Sequence, residues 1–136
     1  SMTLLKAFAG ALVAVFVVDI SWITWVVRPM YDREIPGMLR ADPLVGAAVV
    51  FYLLYVAGIV YFAVSPALKG GGMKVALSNG AVYGGLAYAT YAFTNYAVLA
   101  GWTFNLVIAD VAWGAVLSAV TAACGLLAAR TGGRTT

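Results

Sequence analysis

The chain has 136 residues, 64% of them hydrophobic and 10% charged, with a mean hydropathy of +0.97 and a net charge of +3. A soluble domain carries about 25% charged residues, so this composition excludes a water-soluble globule. Histidine is absent, which argues against haem, zinc and a serine–histidine triad, and no metal or cofactor is expected. The single cysteine, Cys124, cannot form an internal disulfide and reads as a small apolar filler.

Crossing a bilayer takes roughly 20 apolar residues. Four runs meet that length, at 4–27, 44–64, 77–99 and 105–129. Residues 1–136 are therefore expected to form a single all-α integral membrane domain, an antiparallel bundle of four transmembrane helices. Ser1 before Met2 reads as a tag remnant. The first run is too long for a signal peptide and ends at Arg28-Pro29 without a small-residue cleavage site, so it is expected to stay in the mature protein.

The first connection, RPMYDREIPGMLRADP, holds Pro29, Pro36 and Pro43, which are expected to prevent one continuous helix. Its Tyr31, Ile35, Met38 and Leu39 fall at helical spacing, as in a segment lying on the membrane surface. A lid is one reading; a solvated connector with interfacial anchors is the one loop statistics favour. The second connection, SPALKGGGMK, is expected to be a flexible turn, since its glycines lack the context of a phosphate loop. The third, AGWTF, reads as a tight hairpin with Trp102 at the interface; Trp25 and Tyr31 are assigned to the same aromatic belt. Gly80 and Gly84, extended by Ala76, and Gly114, Ser118 and Ala122 form small-residue rows that let helices approach closely.

The basic residues form no stripe and match no nucleic-acid motif, so no nucleic-acid partner is expected. They serve as topology signals instead. Lys6, Lys69, Lys74, Arg130 and Arg134 fall on the side of the N-terminus, and Arg28, Arg33 and Arg40 on the other. That balance places both termini in the cytoplasm of a bacterial inner membrane.

The polar residues of all four runs converge at one depth. Asp19 lies about 12 Å inside the outer end of the first run and Asp110 about 7 Å inside that of the fourth, at 1.5 Å per residue. Tyr52 and Tyr55 fall in the outer part of the second run, and Tyr88, Tyr91, Thr94 and Asn95 in the outer half of the third. The acids have matching neighbourhoods, D-I-S-W and D-V-A-W, which set Trp22 and Trp113 on the same helical faces as Asp19 and Asp110. An ionised carboxylate at mid-bilayer costs about 3 kcal/mol. Interhelical polar contacts typically return about 0.6 kcal/mol each. Structural anchoring thus explains an isolated Asn95 or tyrosine better than it explains two acids. With no Lys or Arg at that depth, at least one of the pair is expected to hold a proton at neutral pH, with tyrosine hydroxyls and Asn95 as partners. These residues outline a polar, aromatic-walled cavity open toward the outer surface.

The motifs Asp19-x-x-Trp22, F-Y-L-L-Y-V-A-G, Y-A-T-Y-A-F-T-N and D-V-A-W-G resemble the bacterial membrane-protein family of domain of unknown function 2177. The resemblance spans nearly the whole chain and implies a small four-helix inner-membrane protein, with a hint toward lipid chemistry. It carries Asp19, Trp22, Tyr52, Tyr55, Tyr88, Tyr91, Thr94, Asn95, Asp110 and Trp113 over as a candidate site. The family pattern in the third helix, Y-x-T-Y-D-x-T-N, has an acid where this chain has Ala92.

The function expected is binding of a small amphipathic or lipid-like molecule in that cavity. The alternatives are a lipid-modifying enzyme with Asp19 or Asp110 as acid or base, or a small proton-coupled transporter, for which four helices would need a homodimer.

Overall fold

A computed structural model describes residues 1–131, so Arg134 lies outside the described residues. Among these residues every regular element is helical. Helix α1 (Met2–Trp22) runs through a wide π-type turn (Ile23–Val27) into α2 (Arg28–Glu34). Helix α3 (Val45–Ile59) passes through a second π-type turn (Val60–Val64) and a third (Ala67–Gly71) into α4 (Gly72–Val98). A short connection leads to α5 (Phe104–Ala129), capped by Thr103, whose hydroxyl accepts from the Leu106 N–H. Three helical stretches are long and apolar enough to cross a membrane: Met2–Glu34, Val45–Val98 and Phe104–Ala129.

The middle stretch doubles back on itself. Its 54 residues would extend about 80 Å if straight, far beyond a hydrocarbon core of about 30 Å. Gly70 (φ +118°) and Gly72 (φ +68°) adopt left-handed backbone conformations that only glycine takes without cost. Beyond them α4 packs back along Val60–Val64, where Asn79 Nδ2 donates to the Phe62 carbonyl at 3.0 Å. The flexible turn expected over SPALKGGGMK is thus a reversal confined to Lys69–Gly72, because consecutive glycines turn the chain without a longer loop.

The first connection also differs from expectation. Helix continues through Arg28–Glu34, seven residues beyond the expected end. Pro29 lies in the first turn of α2, where its missing N–H leaves the least unsatisfied, and the wide turn before it absorbs the change of pitch. Only 35–44 is irregular. Tyr31 and Ile35 are buried against Ala92, Trp102, Leu106 and Val107, so this segment folds over the bundle end as a cover. The Thr103 hydroxyl donates to Glu34 Oε1 at 2.5 Å and fastens the cover to the start of α5.

Helix α5 is the central element, packed against both α1 and α4. The main core joins Ala7, Ala11 and Val15 to Val56, Ile59, Val64, Leu117, Leu126 and Ala129. Both small-residue rows lie in this seam. A methyl at Gly84 would fall on the Ser118 side chain and the Gly114 carbonyl, and one at Gly80 on the Ser118 carbonyl. A further close approach brings Gly10 to Ala128, and Gly125 to Ala7 and Ala11. Lys6 Nζ donates to the Thr131 carbonyl at 2.9 Å, which sets the two chain ends at one end of the bundle. The other end carries the 35–44 connection and Trp102.

Toward that connection end α3 leaves its neighbours. Val45, Val50 and Leu54 are 68%, 57% and 69% exposed, and α4 packs along Val60–Val64 while parting from α3. The π-type turn Val60–Val64 directly follows α3 at the closed end of this divergence.

Gly84→Ala is expected to destabilise the bundle by about 1–3 kcal/mol through overpacking, read as a lower Tm in detergent. Gly85→Ala, whose methyl meets only Ala115 at 3.7 Å, should leave Tm unchanged or slightly higher.

Candidate functional site

The diverging helices leave a cavity of about 360 Å³. Its walls are Asp19, Trp22, Ile23, Val27 and Tyr31 from α1 through α2, Phe51 from α3, Ala87, Tyr88 and Tyr91 from α4, and Asp110 and Trp113 from α5. Both acids are buried, at 5% and 8% exposure, whereas Tyr91 and Phe51 are each 47% exposed where α3 parts from α4. The cavity thus has a deep polar interior and a side mouth. Among the described residues no Lys or Arg lines it.

The repeated D-x-x-W spacing acquires a geometric meaning here. Helices α1 and α5 are antiparallel, so each tryptophan lies one turn from its own acid toward the other helix's acid. Trp22 and Trp113 stack face to face, with centroids 4.0 Å apart and planes at 5°. Trp113 Nε1 donates to Asp19 Oδ1 at 3.0 Å. Tyr52 Oη donates to the other oxygen, Asp19 Oδ2. Both oxygens of Asp19 are therefore held, one from α5 and one from α3, and the stacked indoles lie between the two acids.

Asp110 is held differently. Tyr31 Oη donates to Asp110 Oδ2 at 2.7 Å and lies 3.3 Å from Tyr91 Oη. Because Tyr31 has a single hydroxyl hydrogen and gives it to the carboxylate, Tyr91 must be the donor to Tyr31. The chain Tyr91 to Tyr31 to Asp110 links α4, α2 and α5 across the roof of the cavity. Trp102 packs edge-on against both tyrosines, with centroids at 5.5 and 5.7 Å. Asp110 Oδ1 has no hydrogen-bond partner among the described residues.

The ten residues proposed from sequence separate into groups. Asp19, Trp22, Tyr88, Tyr91, Asp110 and Trp113 line the cavity, and Tyr52 lies beneath it as the partner of Asp19. Tyr55 is deeper in the core, paired with the Ser118 hydroxyl at 2.5 Å, with Tyr83 donating to its carbonyl at 3.3 Å. Thr94 is exposed and Asn95 half-buried, and neither lines the cavity nor partners the acids. Both lie a turn beyond Tyr91, past the level at which the roof closes. Tyr31 and Trp102, assigned above to the interfacial belt, are buried roof residues instead. Alternation of polarity could not place them, because the extension of helix past Pro29 is what carries Tyr31 inward. Trp25, at 75% exposure, remains on the outside. Ala92 is fully buried among the roof residues and does not line the cavity.

Tyr31→Phe and Asp110→Asn should show coupling of about 0.6 kcal/mol, reaching at most about 1.7, in a double-mutant cycle of unfolding in detergent. Additive effects would refute the bond between them. The stacked indoles should give an exciton couplet in circular dichroism that Trp22→Phe abolishes and Trp25→Phe leaves intact.

Comparison with known protein families gives a match to one described as a predicted membrane protein (DUF2177), over residues 4–127. Searches of curated proteins and of solved structures returned no match. The match takes in α2, α3 and α4 whole and all but the ends of α1 and α5, and so every residue of the cavity. The chain belongs to the DUF2177 family of predicted membrane proteins.

Proposed function

We propose that this protein is an intramembrane binder of a small amphipathic, lipid-like molecule, with its polar part held in the cavity and its tail in the bilayer. The observation that carries this reading is a cavity combining stacked indoles, tyrosines and buried carboxylates with a mouth on the side of the bundle. Ligand sites are typically apolar or aromatic hollows of about 300–1,000 Å³ with few, well-placed polar groups. At about 360 Å³ this one suits a headgroup and not a whole lipid. The mouth faces sideways between α3 and α4, among exposed apolar side chains, where a tail can stay in hydrocarbon.

In this reading the chain crosses a bacterial inner membrane four times, as an antiparallel bundle whose reversal at Gly70 and Gly72 lies on the side of the termini. Lys6, Lys69, Lys74 and Arg130 favour the cytoplasm for that side, against Arg28, Arg33 and Arg40 on the other. The cavity then opens in the outer leaflet.

Native mass spectrometry of the protein in mild detergent tests the binding. An amphiphile should co-purify stoichiometrically with the wild-type chain and be lost from Ala87→Trp, which fills the mouth; a wild-type protein that is empty and takes up no added lipid would overturn the reading. The topology is checked in the Cys124→Ala background. Asp42→Cys and Lys69→Cys should react with an impermeant thiol reagent from opposite sides of the membrane.

A further inference from the structure

Resting on that reading, the cavity has a chemical preference. It is lined by two carboxylates and aromatic side chains, and by no Lys or Arg among the described residues. Asp19 has each of its oxygens bonded, one by Trp113 and one by Tyr52. Asp110 is not: its side chain is more than nine-tenths buried, Oδ2 is taken by Tyr31, and Oδ1 has no protein partner among the described residues. Tyr88, the residue after Ala87 on the cavity wall, likewise has a hydroxyl without a protein partner among the described residues. The site therefore offers a free acceptor beside an uncompensated acid and a set of π-faces.

We propose that the ligand is a cationic amphiphile, an alkylammonium whose protonated amine donates to Asp110 Oδ1. A carboxylate shielded from water is costly unless it is paired, and a bound cation supplies the missing partner. Trp22, Trp113 and Phe51 line the same cavity, and aromatic rings attract ammonium groups. A phosphate or sulfate headgroup would meet the like charge of two acids with only tyrosine hydroxyls to donate to it, and a neutral hydroxyl would leave the charge unpaired. The tail runs out through the mouth beside Phe51 and Ala87.

The test compares dodecylamine, dodecanol and dodecyl sulfate at low mole fraction in maltoside micelles, read by tryptophan fluorescence and native mass spectrometry. Using the wild type and Asp110→Asn in the same micelles cancels partitioning into detergent. The amine should bind at least tenfold more tightly than the alcohol, and Asp110→Asn should remove that tenfold while the indole couplet confirms its fold. Should Asp110→Asn fail to fold, the amine's advantage should be abolished instead in Ala87→Trp. Equal or tighter binding of the alcohol or the sulfate overturns the cation preference but leaves the amphiphile site standing. Absence of binding by all three overturns both.

Discussion

A carboxylate placed in hydrocarbon must be satisfied from within the protein, and Asp19 meets that requirement by drawing together three separate parts of the chain. Trp113 reaches it from α5 and Tyr52 from α3, while Asp19 itself belongs to α1. In a bilayer the hydrophobic effect does not press helices together, so close backbone approach and polar contacts carry the association. The glycine seam of α4 and α5 supplies the first and the Asp19 junction the second. The seam sets how near the helices come, and the junction sets their register. With Trp113 held against Asp19, Trp22 falls onto the Trp113 face, and the cavity takes its back wall from that stack.

The roof repeats this logic with different parts. Tyr31, Tyr91 and Asp110 tie α2, α4 and α5 together, and the Thr103–Glu34 bond fixes the segment that delivers Tyr31. Both carboxylates line the cavity, but each oxygen of Asp19 is bonded by protein, whereas Asp110 has one oxygen without a protein partner among the described residues. Two acids with near-identical local sequences thus occupy distinct chemical environments.

Much of this was legible in the sequence. Composition identified a membrane protein, the small-residue rows marked the α4–α5 seam, and the paired D-x-x-W motifs brought the two acids and two tryptophans to one region. Tyr31 was hidden because Pro29 looks like a helix stop, yet a wide turn followed by a proline in the first turn of a new segment lets helix continue. Trp102 was hidden because an aromatic residue beside a loop has the same signature whether it faces lipid or folds under a neighbour. Thr94 and Asn95 have the right depth by residue count, but the roof closes before their level. Depth is readable from the rise of a helix; which face is covered depends on partners that a single segment does not encode.

The divergence of α3 has a mechanical consequence. From Val45 to Phe51 that helix is exposed along its length, so at this level little side-chain packing holds it in place. In a bilayer the acyl chains would pack against this stretch, so the gap beside it would be bounded by the medium as well as by the protein. That stretch is held only at its base, where Tyr52 bonds Asp19 of α1 and Tyr83 bonds the Tyr55 carbonyl, so the mouth is bordered by a helix end braced from one side.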